Sequence, residues 1–138
     1  MKHNPTLQSL STLIGQWDVE ALNEKWQETF EWLDDSFILW RADAQGDFPG
    51  SNIIIGRDET QDLYTALYYD TRGVARIYNL SFSDGVLKLW RDDPSFPQRF
   101  QATLSDDNNT LTGYWESGAG GKWKRDFDIT YRRVLLTE

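Results

Sequence analysis

The sequence predicts an all-β chain: a single antiparallel up-and-down β-barrel of about ten strands, with one short N-terminal helix capping an end. Three observations predict it. Only residues 4–14 carry a helical pattern, and everything after them reads as short strands broken by turn chemistry. The connections are of hairpin length and hold no strand–helix–strand crossover, so neighbouring strands run antiparallel. A Trp entering the first strand, in Gly15-Gln16-Trp17, is answered by Tyr131-Arg132-Arg133 in the last, which suits a barrel sealed at one end. A length of 138 residues fits one domain over 1–138.

The helix is justified by its ends and its face. Asn4 can cap it, Pro5 suits its first position, and Gly15 suits its exit. Leu7, Leu10 and Ile14 share a face at 3.6-residue spacing, with Leu13 beside them. So short an amphipathic helix must pack on the sheet, across one mouth of the barrel.

The strands fall at roughly 16–22, 24–33, 36–44, 51–57, 63–70, 74–83, 86–91, 98–105, 110–116 and 122–134. Asp34-Asp35, Thr71-Arg72-Gly73, Ser83-Asp84-Gly85, Asp106-Asp107-Asn108-Asn109 and Gly118-Ala119-Gly120-Gly121 separate them, all residues that tolerate positive φ or close Asx turns. Closing ten such strands on themselves removes the exposed edges. Two longer loops, Asp43–Gly50 and Asp92–Pro97, carry Phe48 and Phe96, either as flaps over a mouth or as plain anchors.

Alternation sorts the strand residues into two faces. Trp17, Val19 and Ala21 face inward in the first strand; Trp26, Phe30 and Trp32 in the second, with Glu28 among them. Val74, Tyr78, Leu80 and Phe82 share the inner face of the sixth strand with Arg76. Trp115 shares a face with Leu111 and Gly113 on the ninth. In the last, Trp123, Phe127, Ile129, Tyr131 and Leu135 point inward, which brings Arg125 and Arg133 in and leaves Arg132 outside. The pattern does not sort Arg41, Asn52, Tyr64, Tyr68 or Tyr69. Arg133 is expected to stack on the Trp17 indole as a cation–π closure.

Composition excludes several classes of function. Seven Trp, seven Phe and six Tyr make a large, ring-lined core. The absence of Cys removes disulfides, thiolate metal sites and Cys nucleophiles. A net charge of −8 argues against nucleic acid and anionic membranes as partners. No apolar run approaches the roughly 18 residues of a membrane span, and no signal-peptide pattern opens the chain. A cytoplasmic protein, monomeric or homodimeric, is the expectation. With His3 the sole histidine, neither haem ligation nor a metal site is expected, and no cofactor is implied.

The Gly15-Gln16-Trp17 motif with its closing Arg133 resembles the lipocalin and fatty-acid-binding (calycin) superfamily. Segments such as Tyr69-Asp70-Thr71-Arg72-Gly73-Val74 and Asp126-Phe127-Asp128 look like small bacterial calycin-like proteins without an assigned function. The resemblance covers nearly the whole chain and implies a fold. Arg76-Ile77-Tyr78 is similar to the Arg-x-Tyr pair with which fatty-acid-binding proteins hold a carboxylate, although here it lies on a middle strand and not the final one.

A charge on an apolar face must be paired, solvated or used. Glu28 with Arg76 or Arg125 could be a structural ion pair. Alternatively, one inward acid against two inward arginines leaves a positive cavity, suited to a small, partly apolar anion. Arg76, Tyr78 and Arg125 would hold such a ligand, beside Glu28, with Trp26, Phe30 and Trp115 as walls. The alternative function is a cofactor-free lyase or isomerase using Glu28, Tyr78 and Arg76 as acid–base and oxyanion-holding groups.

Overall fold

In a computed structural model that describes residues 2–119 and 121–135, ten antiparallel strands close into a barrel behind a short 3₁₀ helix, Pro5–Leu13. The strands are β1 (Gly15–Ala21), β2 (Glu24–Leu33), β3 (Phe37–Ala42), β4 (Ser51–Arg57) and β5 (Tyr64–Asp70), followed by β6 (Ala75–Ser83), β7 (Val86–Arg91), β8 (Gln98–Leu104), β9 (Thr110–Ala119) and β10 (Lys122–Arg133). Each pairs with its neighbours in sequence, and β10 returns to pair with β1, so no edge is left open.

The helix differs from expectation in its winding. Asn4 caps it as anticipated, accepting the Thr6 N–H at 3.0 Å. The buried positions are Leu7, Leu10 and Leu13, a three-residue spacing. At three residues per turn these side chains eclipse on one face, so the pattern that looked α-helical is satisfied by a 3₁₀ helix. Ile14, not Gly15, is the cap residue at its end. The helix is tied across one end of the barrel. Asn4 N–H donates to Asp35 O (2.7 Å), the Tyr64 hydroxyl on β5 to Thr6 O (3.0 Å), and the Trp17 indole to Leu13 O (3.0 Å).

Turn chemistry sets the hairpins. Leu22-Asn23, Asp34-Asp35 and Asp84-Gly85 all adopt positive φ at both residues, as tight right-twisted hairpins demand. The first of these corrects the expected strand end: Leu22 leaves β1 and stands 63% exposed in the turn. The expected turn at 118–121 includes Gly120, which lies outside the described residues.

The closure forms as the sequence predicts. Trp17 and Arg133 are register partners, with the guanidinium carbon 4.3 Å from the Trp17 ring centre. Trp17 is fully buried, while Arg132 lies outside, 3.6 Å from Glu20. Arg133 also donates to the carbonyls of Thr12, Ile14 and Asn108, joining the helix to the β8–β9 turn. Gly15 permits this. Its φ is +141°, and a Cβ there would sit 2.8 Å from the guanidinium.

The last strand breaks its own alternation. A bulge between Arg125 and Phe127 shifts register, so residues before it face opposite to the expected direction. Phe127, Ile129 and Tyr131 do face inward. Trp123 and Arg125 instead lie outside. Arg99 stacks on the Trp123 ring at 4.0 Å, and Arg125 packs over Tyr114 at 3.8 Å while bonding Asp128 at 2.6 Å. Leu135, expected inside, follows β10 and is 64% exposed. Arg41 points outward, 3.5 Å from Glu31, and Tyr69 is exposed. Tyr64 and Tyr68 face in, one at each end of β5.

Candidate functional site

The half of the barrel next to the helix is filled by its own side chains, among them Phe30, Ile38, Ile55, Leu80, Leu87 and Leu89. The opposite half is not. A cavity of about 280 Å³ lies there, walled by the mouth-proximal ends of the strands and by the two longer loops. Both loop aromatics belong to it. Phe48 packs at a tilt against Trp26 (4.5 Å) and meets Phe127 edge-to-face (5.5 Å), and Phe96 lies under the Arg76 guanidinium (5.1 Å).

Glu28 lines this cavity and is 6% exposed. The sequence anticipated an ion pair with Arg76 or Arg125, but among the described residues no cation lies within 4.0 Å of it. Its partners are neutral donors. The Trp26 indole donates to Oε2 at 2.7 Å and the Trp40 indole to Oε1 at 2.6 Å, with the Tyr131 hydroxyl beside them. Burial pushes the Glu28 pKa up, and the nearby Asp43 adds to that; the three donors oppose it. The same burial, together with Glu28, raises Tyr131 well above the ordinary phenol range.

At the other side of the cavity Gln98 is the hub. Its Oε1 accepts from the Tyr78 hydroxyl at 2.6 Å and from Arg76 at 3.4 Å. Both acceptor bonds fall on the carbonyl oxygen, which leaves the two amide N–H donors of Gln98 free of those partners. Arg76 is half-buried between Phe96 and Tyr68 and makes no ion pair among the described residues. Arg72 also lines the cavity, but its charge is already matched. It grips the buried Asp70 through Nε (3.1 Å) and Nη2 (2.6 Å), while Tyr68 donates to the same oxygen (2.6 Å). The Arg72 guanidinium holds the Asp70 carboxyl far below the usual carboxylate range.

The sequence-derived site is therefore brought together in part. Trp26, Glu28, Arg76, Tyr78 and Trp115 line one cavity. Arg125 does not: the bulge turns it outside and places Asp126 at the rim in its stead. Phe30 does not either. It is buried in the filled half, stacked on Trp40 at 4.6 Å. With Arg125 gone and Asp126 added, the described residues lining the cavity carry no excess of positive charge. Sequence reasoning missed Trp40, Phe48, Gln98, Phe127 and Tyr131 as site residues. Gln98 opens β8 as a polar residue one step from an apolar alternation, and that was the signal available for it. His3 stacks on Trp32 at 4.2 Å at the helix end, away from the cavity.

Compared with known proteins, the chain matches no protein-family model and no curated protein sequence.

Proposed function

We propose that this barrel binds a small, partly apolar molecule through an anionic head group of the carboxylate type. One observation carries the reading: Arg76, which among the described residues has no acidic partner, stands beside the Gln98 amide and Tyr78 at one side of an aromatic-walled space. A carboxylate there would receive a charge-assisted bond from Arg76 and a neutral one from Gln98. The volume of about 280 Å³ lies at the small end of ligand pockets, so a single-ring or short-chain acid fits better than a long fatty acid. The closed ten-strand architecture and the Trp17–Arg133 stack agree with the calycin resemblance, whose barrels are containers.

Titration with 3-phenylpropionate, followed by intrinsic Trp fluorescence, tests this. Saturable quenching is expected, weakened at least tenfold by Arg76→Gln. Absence of any saturable response across short aromatic acids overturns the reading.

A second reading, a cofactor-free lyase or isomerase, is favoured by Glu28 standing buried at the cavity wall between the Trp26 and Trp40 indoles, where desolvation raises its pKa and makes it a better base than a free carboxylate. In an enzyme Glu28→Gln would abolish turnover while binding survived.

A further inference from the structure

Among the described residues Glu28 has no counter-ion, and it faces a cavity. Most buried acids are matched by an arginine or lysine, as Asp70 is here by Arg72. Among the described residues Glu28 is hydrogen-bonded by the Trp26 and Trp40 indoles, with the Tyr131 hydroxyl near them. An ionised carboxylate offers about four lone-pair sites, and the two indole donors leave the remainder for the cavity. Among the described residues nothing at that end supplies positive charge. Asp43 approaches Glu28 closely enough to raise its pKa, and Asp126 sits at the rim. Ring surface is plentiful there, because Phe48, Phe127 and Tyr131 line the same space. Aromatic walls around an acid are the environment in which an organic ammonium is held by charge and ring quadrupole together.

We propose that the ligand carries an ammonium group and that Glu28 is its counter-ion. The inference rests on the binding reading above and extends it. Arg76 and Glu28 are opposite charges lining one cavity, and among the described residues neither is ion-paired. A ligand with an acid at one end and an amine at the other satisfies both. The class is thus a small zwitterion with a hydrophobic body, its acid at Arg76 and its ammonium at Glu28.

Calorimetric titration of the full chain with phenethylamine and with 3-phenylpropionate separates this proposal from the reading beneath it. Both probes are expected to bind wild-type protein, and Glu28→Gln is expected to lower the amine-to-acid affinity ratio at least tenfold. Acid binding without amine binding overturns the ammonium proposal and leaves the container standing; binding of neither overturns both. An unchanged ratio in Glu28→Gln overturns the assignment of Glu28. Should that variant fail to fold, wild-type protein decides alone. Phenethylamine must then bind at least tenfold tighter than its neutral isostere 2-phenylethanol, and equal affinity overturns the proposal.

Discussion

The Arg133 guanidinium covers the Trp17 indole at 4.3 Å and, from the same position, caps backbone carbonyls of the helix and of the β8–β9 turn. One side chain thereby joins the first strand, the last strand, the helix and a hairpin. Trp17 is sealed from both sides, its own N–H satisfied by Leu13 O.

Arg133→Ala removes a cation–π contact and several charge-assisted bonds, and leaves the carbonyls of Thr12, Ile14 and Asn108 in search of water. A loss of about 1–3 kcal/mol is expected. Arg132→Ala removes an exposed pair with Glu20 and should change stability by less than about 0.5 kcal/mol. Thermal melts of the two variants check this, and the reverse order would show the closure to be misassigned.

Gly113 on β9 has no room for a side chain. A Cβ there would lie 2.0 Å from the Gln101 carbonyl oxygen and 2.6 Å from the Ala102 Cα on β8. Gly113→Ala must therefore push β8 and β9 apart, costing about 1–3 kcal/mol or more. A variant that melts with the parent would mean that the strands do not approach so closely.

Asp70 has a depressed pKa in the folded protein. The stability it contributes is present above its ordinary value of 3.8 and is lost as pH falls toward the lower folded value. Asp70→Asn should consequently flatten the acid limb of the stability curve below about pH 4. An acid limb of unchanged slope would remove Asp70 from the account.

Glu28 works in the opposite sense. Its folded pKa is raised above 4.5, so the folded state holds the proton more tightly than the unfolded chain does. Stability then falls as pH rises from about 4.5 through the folded value, because ionising Glu28 in the barrel is costlier than in water. Measured from pH 5 to 8, wild type should lose stability relative to Glu28→Gln. A difference between the two that stays flat with pH would show that Glu28 is not desolvated in this way.

The architecture was legible because its signals are local. Hairpin turns such as Asp84-Gly85 declare themselves in two residues, and alternation then assigns Trp17, Glu28, Arg76 and Tyr78 to the interior. Arg125 is misplaced by alternation because a bulge inserts one residue, and a pattern carried back from Tyr131 and Phe127 across that insertion points the side chains before it the wrong way. Phe30 was misplaced for a different reason. Alternation tells inside from outside, but it does not tell which half of a barrel is packed and which is hollow. That depends on where the helix seats Leu7, Leu10 and Leu13, and on how the Phe48 and Phe96 loops fold back. The indole donors of Glu28 were hidden likewise, since Trp40 comes from a different strand.

The most direct test of the cavity as a ligand site is the response of the indole N–H resonances to 3-phenylpropionate in a nitrogen-15 correlation spectrum. Trp26, Trp40 and Trp115 line the cavity, whereas Trp17 is buried at the helix end and Trp123 lies on the outer surface under Arg99. The signals of the first three are expected to move saturably with one common affinity while those of Trp17 and Trp123 stay in place. Shifts confined to Trp123, or no shifts at saturating acid, would contradict the account.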